Sequence, residues 1–494
     1  MIYKPKKNEI NSADTISRTQ WIQLILVGSG MFLSALDISV NVALPNISEF
    51  FTVSPNITYF MIIFYLGTTV ALQLPMGSAG DAFGLKNVFI FGLIVYTIAM
   101  ISIGLSPTIN TVLGFRILQA FGNSAILSIA PALATSLFPS SYRGRALGIM
   151  AGIGSLGMIF GTVFAGVILE FLPWQWIFLG RIPICVLCII GSLIVIKTYN
   201  TSNFQKTHRG TDFDWIGAIL IFIGIISAVL FLNLGTNIGW IQIPTLSTLV
   251  ISIVSIILFI RRQISLNNPL IEFTLINNPI VLGGFFANLF LYMGSFVNLF
   301  ILPFFVAEII SASSIILGIF LLLNAISISL CSPIGGYFSD KYGPGITSVA
   351  GLCIVSLGLL SYSILSPESS LVEIGIRMII VGSGIGLFQS ANLSLIMGNM
   401  SSNSLGTGGA ISAISRAFGS VTAVTLIGWF FTFLYQSNSP DVDLIYASST
   451  RDSIESFMYA FQISYILGSI LMILGVISSL IAWIGLKKTQ ISIN

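Results

Sequence analysis

The sequence is poor in charge. Only 7% of its 494 residues are Asp, Glu, Lys or Arg, against 55% hydrophobic and a mean hydropathy of +0.98. A soluble domain carries about 25% charged residues. A water-soluble fold of this size could not cover its apolar surface, so the solvent must be lipid. The net charge of +3 is too small and scattered for nucleic acid. Histidine occurs once, as His208 in a hydrophilic stretch. That leaves little material for a metal site or for membrane protease or acyltransferase chemistry. Neither GxxxxGKS/T nor HExxH is present, so nothing points to an ATPase or a zinc enzyme. Gly152, Gly154 and Gly157 match GxGxxG, but no strand precedes them. Four cysteines occur, all in apolar segments. Cys185 and Cys188 form a CxxC, but with no companion ligands it reads as helix packing rather than as a metal or redox pair. No cofactor is expected.

What is present in abundance is long apolar runs. A spanning helix needs about 20 apolar residues. Fourteen runs qualify: 21–44, 57–77, 87–106, 109–137, 146–169, 174–196, 213–233, 243–261, 279–304, 311–334, 344–366, 370–397, 405–435 and 457–486. The first is too long for a signal h-region of roughly 7–15 residues, so it is expected to be retained. Basic residues alternate between loops. Lys4, Lys6, Lys7 and Arg18 precede the first run. Lys86, then Arg143 and Arg145, then Lys197, Lys206 and Arg209, then Arg261 and Arg262, then Lys341 follow even-numbered runs, and Lys487 and Lys488 follow the last. The other loops hold one basic residue, Arg451, beside Asp441, Asp443, Asp452 and Glu455. By the positive-inside rule both termini are cytoplasmic.

A weak repeat is offset by eight runs. GSAGDAFGLK (77–86) follows the second run and GYFSDKYGPG (336–345) the tenth. Arg116 in the fourth run and Arg377 in the twelfth lie at similar depth. Two related halves with an inserted pair explain the offset, and transporters built this way bind substrate at mid-membrane. The expected fold is an all-α polytopic membrane protein of 6+2+6 helices. Its parts are a tail (1–20), a six-helix bundle (21–197), an inserted pair (213–262), a second bundle (279–486) and a tail (487–494).

The first run contains one acid, Asp37. A charge at that depth costs a few kcal/mol and is usually functional. Ser34 and Asn41 lie three residues before and four after it, on the same helical face. Asp37 and Arg116 each lie roughly 10 Å from the outer end of their helices, so the two can pair. Desolvation and a nearby arginine act on the acid in opposite directions. Two readings stay open: Asp37 takes and releases protons during transport, or the two residues form a fixed ion pair. Arg181, near the middle of the sixth run, has no assigned partner. The ninth run, counterpart of the first, carries Asn288 and Asn298 but no acid.

Six motifs resemble the major facilitator superfamily, specifically its 14-helix drug:proton antiporter branch. They are LDISVNVALP (36–45), GSAGDAFGLK (77–86), RILQAFG (116–122), SYRGRALG (141–148), WQWIF (174–178) and NNPLIEFTLINNP (267–279). The resemblance implies a cytoplasmic gate at Gly77, Asp81, Gly84 and Lys86, with a second copy at Gly336, Asp340, Lys341 and Gly343; the alternative is a tight polar loop. Ala82 and Leu85 replace the usual basic residues. Arg116, Gln119 and Gly122 match the fourth-helix motif, with Ala120 for a glycine, and Arg116 is then a cavity or proton residue or a buried structural partner. The fifth run reads GTVFAG (161–166) where the branch has Gly-Pro-x-x-Gly-Gly. A weakly polar substrate cavity would draw on Ser34, Asn41, Tyr65, Gln73, Gln119, Asn288, Tyr292, Asn298, Asn324, Arg377, Gln389, Asn392 and Arg416. Each alone also reads as a helix-packing hydrogen-bonder.

The implied activity is proton-coupled export of lipophilic or cationic compounds by alternating access in the cell membrane. The alternatives are transport of one metabolite, or a sensor or scaffold that does not transport. The expected partners are a small molecule, protons and the lipid bilayer, with the chain a monomer.

Overall fold

The computed structural model describes residues 16–196, 213–266, 269–271, 277–312, 314–438 and 451–493. His208, the basic residues of 197–212, most of the 267–279 motif and the acids at 441 and 443 lie outside them.

The described residues form fourteen long helices and no strand. They are α1 (Arg18–Phe50), α2 (Pro55–Phe83), α3 (Leu85–Gly104), α4 (Ile109–Leu137), α5 (Arg143–Phe171), α6 (Trp176–Val195), α7 (Trp215–Ile238), α8 (Ile243–Ser265), α9 (Pro279–Ile309), α10 (Ser314–Tyr342), α11 (Pro344–Tyr362), α12 (Leu371–Gly398), α13 (Leu405–Asn438) and α14 (Arg451–Ile493). Thirteen of them contain a described window long and apolar enough to cross a membrane. Spanning helices satisfy every backbone group internally, which lipid demands. Their outward faces are apolar: Leu187 is 69% exposed, Ile194 76% and Ile243 83%.

Two breaks matter later. In α1 the α-helix stops at Ala35, a 3-10 turn covers Leu36–Ile38, and α-helix resumes at Ser39. In α6 a short turn, Trp176–Leu179, is separated by Gly180 and Arg181 from Ile182–Val195. Pro183 lies in the first turn of that second part, where its missing N–H costs least. Helix α5, without the proline of the resembling motif, runs unbroken for 29 residues. A Cβ on its Gly161 would lie 3.0 Å from the Leu36 carbonyl oxygen, so this glycine lets α5 reach the 3-10 turn.

The chain packs as two units: Met1–Asn277 with Met397–Ile414, and Asn278–Ile396 with Ser415–Asn494. In the first, α7 and α8 are clasped at one end by Asp214. Its carboxylate accepts from Gly217 N (2.9 Å), Arg262 Nε (2.7 Å) and Gln263 Nε2 (2.7 Å). In the second, α9, α11 and α14 enclose an aromatic core in which Tyr362 and Tyr465 stack at 4.7 Å.

The two gate-like motifs are helical rather than loops. Residues 77–83 complete α2 and 336–342 complete α10. Their small and polar residues continue the helix until Gly84 and Gly343, whose φ values of 96° and 100° suit only glycine and end it.

Candidate functional site: a buried acid between two arginines

Asp37 sits in the 3-10 turn of α1, buried at 7% exposure. Four donors converge on its carboxylate. Oδ1 accepts from Arg181 Nη1 (2.5 Å), Gln119 Nε2 (2.9 Å) and Tyr96 Oη (3.1 Å), while Tyr65 Oη donates to Oδ2. A carboxylate offers about four acceptor sites, two on each oxygen, so Oδ1 is crowded and Oδ2 keeps one open.

The ion-pair partner is Arg181, not the expected Arg116. Depth along the helices matched Arg116 to Asp37, but the Arg116 side chain is held elsewhere. Its guanidinium lies 4.2 Å from the Tyr65 ring centroid, and it donates to Gln119 Oε1 (2.5 Å) and the Met61 carbonyl (3.3 Å). Gln119 then reaches Asp37, so Arg116 acts on the acid through an amide. Arg181 comes from the break in α6. Its Nη2 donates to the Leu36 carbonyl (2.9 Å) and to Ser39 Oγ. One guanidinium thus holds three consecutive features of the α1 break: the Leu36 carbonyl, the Asp37 carboxylate and the Ser39 hydroxyl.

The break also changes which α1 residues share the site. Ser39 joins it, whereas Asn41, placed on the Asp37 face by uninterrupted α-helical spacing, is exposed, and Ser34 is half-buried. Tyr96 escaped sequence reading because a tyrosine in an apolar run looks like core. Its hydroxyl has one hydrogen and two acceptors in reach, the Leu33 carbonyl (2.9 Å) and Asp37 Oδ1 (3.1 Å). It can therefore donate to either, and accept from a protonated Asp37 when turned to Leu33.

At the other end of α2, Asp81 caps the start of α13. Its Oδ1 accepts from Gly406 N (2.6 Å), and Oδ2 from Thr407 N (2.8 Å) and Thr407 Oγ1 (2.8 Å). A carboxylate at a helix N-terminus meets unsatisfied N–H groups and the positive end of the dipole. Any side chain on Gly77 would strike the Gly406 carbonyl and Ala410. Lys86 donates to the Leu193 carbonyl (3.1 Å). In the second copy Gly336 is buried, Asp340 half-buried, and Lys341 lies 5.1 Å from the Tyr342 ring centroid.

A family model described as the Major Facilitator Superfamily matches residues 27–424. The chain belongs to this superfamily. It is therefore a multi-pass membrane transporter of small molecules and not an enzyme. The riboflavin transporter RibZ of Clostridioides difficile (strain 630) is 25% identical over 484 residues, covering 97% of this chain and 100% of RibZ. Multidrug resistance protein Stp of Mycobacterium tuberculosis (strain CDC 1551 / Oshkosh) is 26% identical over 417 residues, covering 84% of this chain and 76% of Stp. The crystal structure of the human organic anion transporter MFSD10 (TETRAN) shares the fold with a TM-score of 0.63 at 12% identity, covering 94% of this chain and 100% of that one.

For this superfamily member, most of the expected cavity residues are engaged in helix packing. Asn288 Nδ2 donates to Ser415 Oγ (2.8 Å), Asn392 Nδ2 to the Gly284 carbonyl (3.0 Å) and Asn324 Nδ2 to the Met378 carbonyl (3.4 Å). Asn298 Oδ1 accepts from Tyr465 (2.8 Å), and Gln389 donates to the Tyr292 hydroxyl. Gln73 is buried, and its backbone carbonyl, not its side-chain amide, accepts from Ser128 Oγ (2.8 Å). Arg377 binds the Ser361 carbonyl (2.9 Å) and pairs with Glu373 at 3.6 Å. Arg416 is half-buried on α13. A cavity of about 550 Å³ lies within the first unit, between α2, α3, α4 and α7. Leu72, Met76, Phe83, Phe121, Trp215 and Phe222 are among its lining residues, and it includes none of the residues proposed from sequence.

Proposed function

We propose that the chain is a proton-coupled exporter of lipophilic or cationic compounds, working by alternating access in the cell membrane with both termini cytoplasmic. The observation that carries this reading is the single buried acid of α1, surrounded by donors from four other helices. An acid so placed is a transport site by default. A membrane potential supplies about 2.3 kcal/mol per charge per 100 mV, which needs no nucleotide machinery. Relatives named multidrug resistance proteins support export. An apolar cavity of about 550 Å³ is the kind of room a lipophile takes. The contact between Asp81 and α13 serves as the cytoplasmic gate: it opens and re-forms in each cycle.

The test is transport of a panel of cationic dyes in proteoliposomes under an imposed pH gradient. Asp37→Asn is expected to abolish gradient-driven transport. Undiminished gradient-driven transport by that variant ends the reading. A second reading, transport of one metabolite, is favoured by the RibZ relative, which aligns over 97% of this chain. Riboflavin belongs in the same panel: movement of the flavin with no movement of any dye selects it.

A further inference from the structure

Arg181 is the only cation among the four donors to Asp37, and it also binds the α1 backbone beside the acid. It is 5% exposed and sits where α6 is broken by Gly180, opposite the place where α1 is broken by its 3-10 turn. Its bonds run to the Leu36 carbonyl, Asp37 Oδ1, Ser39 Oγ and Tyr96 Oη. Two helices interrupted at the same place, and joined there by one guanidinium, form a joint.

Donor and acceptor counting says what the joint does. Three donors crowd Asp37 Oδ1 and one, Tyr65, reaches Oδ2, so Oδ2 keeps an open site for a proton, while Oδ1 can take one only if a donor leaves or turns. Tyr96 can turn to Leu33 and then accept. Tyr65 can also accept, but its ring lies under Arg116. Gln119 Nε2 and Arg181 present only N–H to the acid, and an arginine can never accept. Gln119 is fixed from its other end by Arg116. Arg181, the N-cap of Ile182–Val195, is the donor that also grips the α1 backbone, at the Leu36 carbonyl.

We propose that Arg181 is the positioning residue of this proton site. It holds Asp37 in the α1 break through the Leu36 carbonyl, Oδ1 and Ser39, and its charge opposes protonation of the carboxylate. This rests on the proposed role of Asp37. The charged and titratable groups facing Asp37 are Tyr65 from α2, Tyr96 from α3, Arg116 from α4 through Gln119, and Arg181 from α6, with Cys185 one turn further along α6. Helix α5 brings Gly161 and no charge.

The experiment uses the proton itself as the probe. The carbonyl band of a protonated Asp37 is followed by difference infrared spectroscopy of the full-length purified protein across pH, and is identified by its loss in Asp37→Asn/Arg181→Gln. An opposite charge beside an acid shifts its titration by about 1–3 pH units. In Arg181→Gln the band is therefore expected to appear about 1–3 pH units more alkaline than in the wild type, and Arg181→Lys, which keeps the charge, is expected to return most of the shift. A band at the wild-type pH in Arg181→Gln overturns the proposal. If Arg181→Gln does not fold, Ser39→Ala loosens the same guanidinium without removing its charge. A smaller alkaline shift then supports the proposal and no shift overturns it. Retained gradient-driven transport in Asp37→Asn is a separate result: it removes the transport reading, whereas an unmoved band removes only the role of Arg181.

Discussion

The two units solve the problem of buried polarity differently. Among the described residues the first buries two acids, Asp37 and Asp214, at 7% and 6% exposure, and two arginines, Arg116 and Arg181, at 1% and 5%. The second joins its helices with neutral groups: Asn298 to Tyr465, Asn288 to Ser415 and Gln389 to Tyr292. Its arginine at the repeat-related position, Arg377, pairs with the half-exposed Glu373 on its own helix. A neutral hydrogen bond holds helices together but cannot carry charge across a membrane. Under the proposed proton coupling, the contrast gives energy conversion to the first unit and leaves the second with packing.

That division can be broken by substitution. The largest effect is expected from Asp37→Asn, which leaves Arg181 buried without its counter-charge. Removing one partner of a buried pair costs about 3–5 kcal/mol, to be measured as a drop in melting temperature in detergent. Asp37→Asn/Arg181→Gln is expected to regain much of that stability while gradient-driven transport stays lost. A double variant as unstable as the sum of its parts would show that the pair is not coupled. Next, Asp81→Ala removes the cap of α13, at about 0.5–2 kcal/mol, and transport is expected to fall with it. Wild-type transport rates in that variant would deny the cap a part in gating. In the second unit, Tyr465→Phe is expected to cost about 0.5–1.5 kcal/mol and to leave the ratio of protons to substrate unchanged. A changed stoichiometry would blur the line between the units. The smallest effect belongs to Arg377→Gln, within about 1 kcal/mol of wild type and without a transport phenotype in the same assay.

Much of this architecture was legible because lipid imposes simple rules. Run length and the alternation of basic loops located the helices within a few residues, and a lone acid in an apolar run marked Asp37. Partners were harder to read. Depth along a helix is a one-dimensional coordinate, and it ranked Arg116 first because it carries no information on which helices touch. The decisive feature, the 3-10 turn at Leu36–Ile38, exchanged Asn41 for Ser39 and turned the Leu36 carbonyl toward Arg181. Neither change follows from α-helical periodicity. The gate motif looked like a loop for the opposite reason. Its glycines and Asp81 suggest a turn, but only Gly84 adopts a backbone conformation that ends the helix.

The single hydrogen of Tyr96, shared between Leu33 and Asp37, has a kinetic consequence. Re-aiming a hydroxyl takes picoseconds to nanoseconds, while a helix moving at a joint takes microseconds to milliseconds. With Asp37 as the carrier, the turn of the Tyr96 hydroxyl is then not the slow step. Turnover in heavy water is accordingly expected to run close to its rate in ordinary water, and the temperature dependence of the cycle to be that of a helix movement.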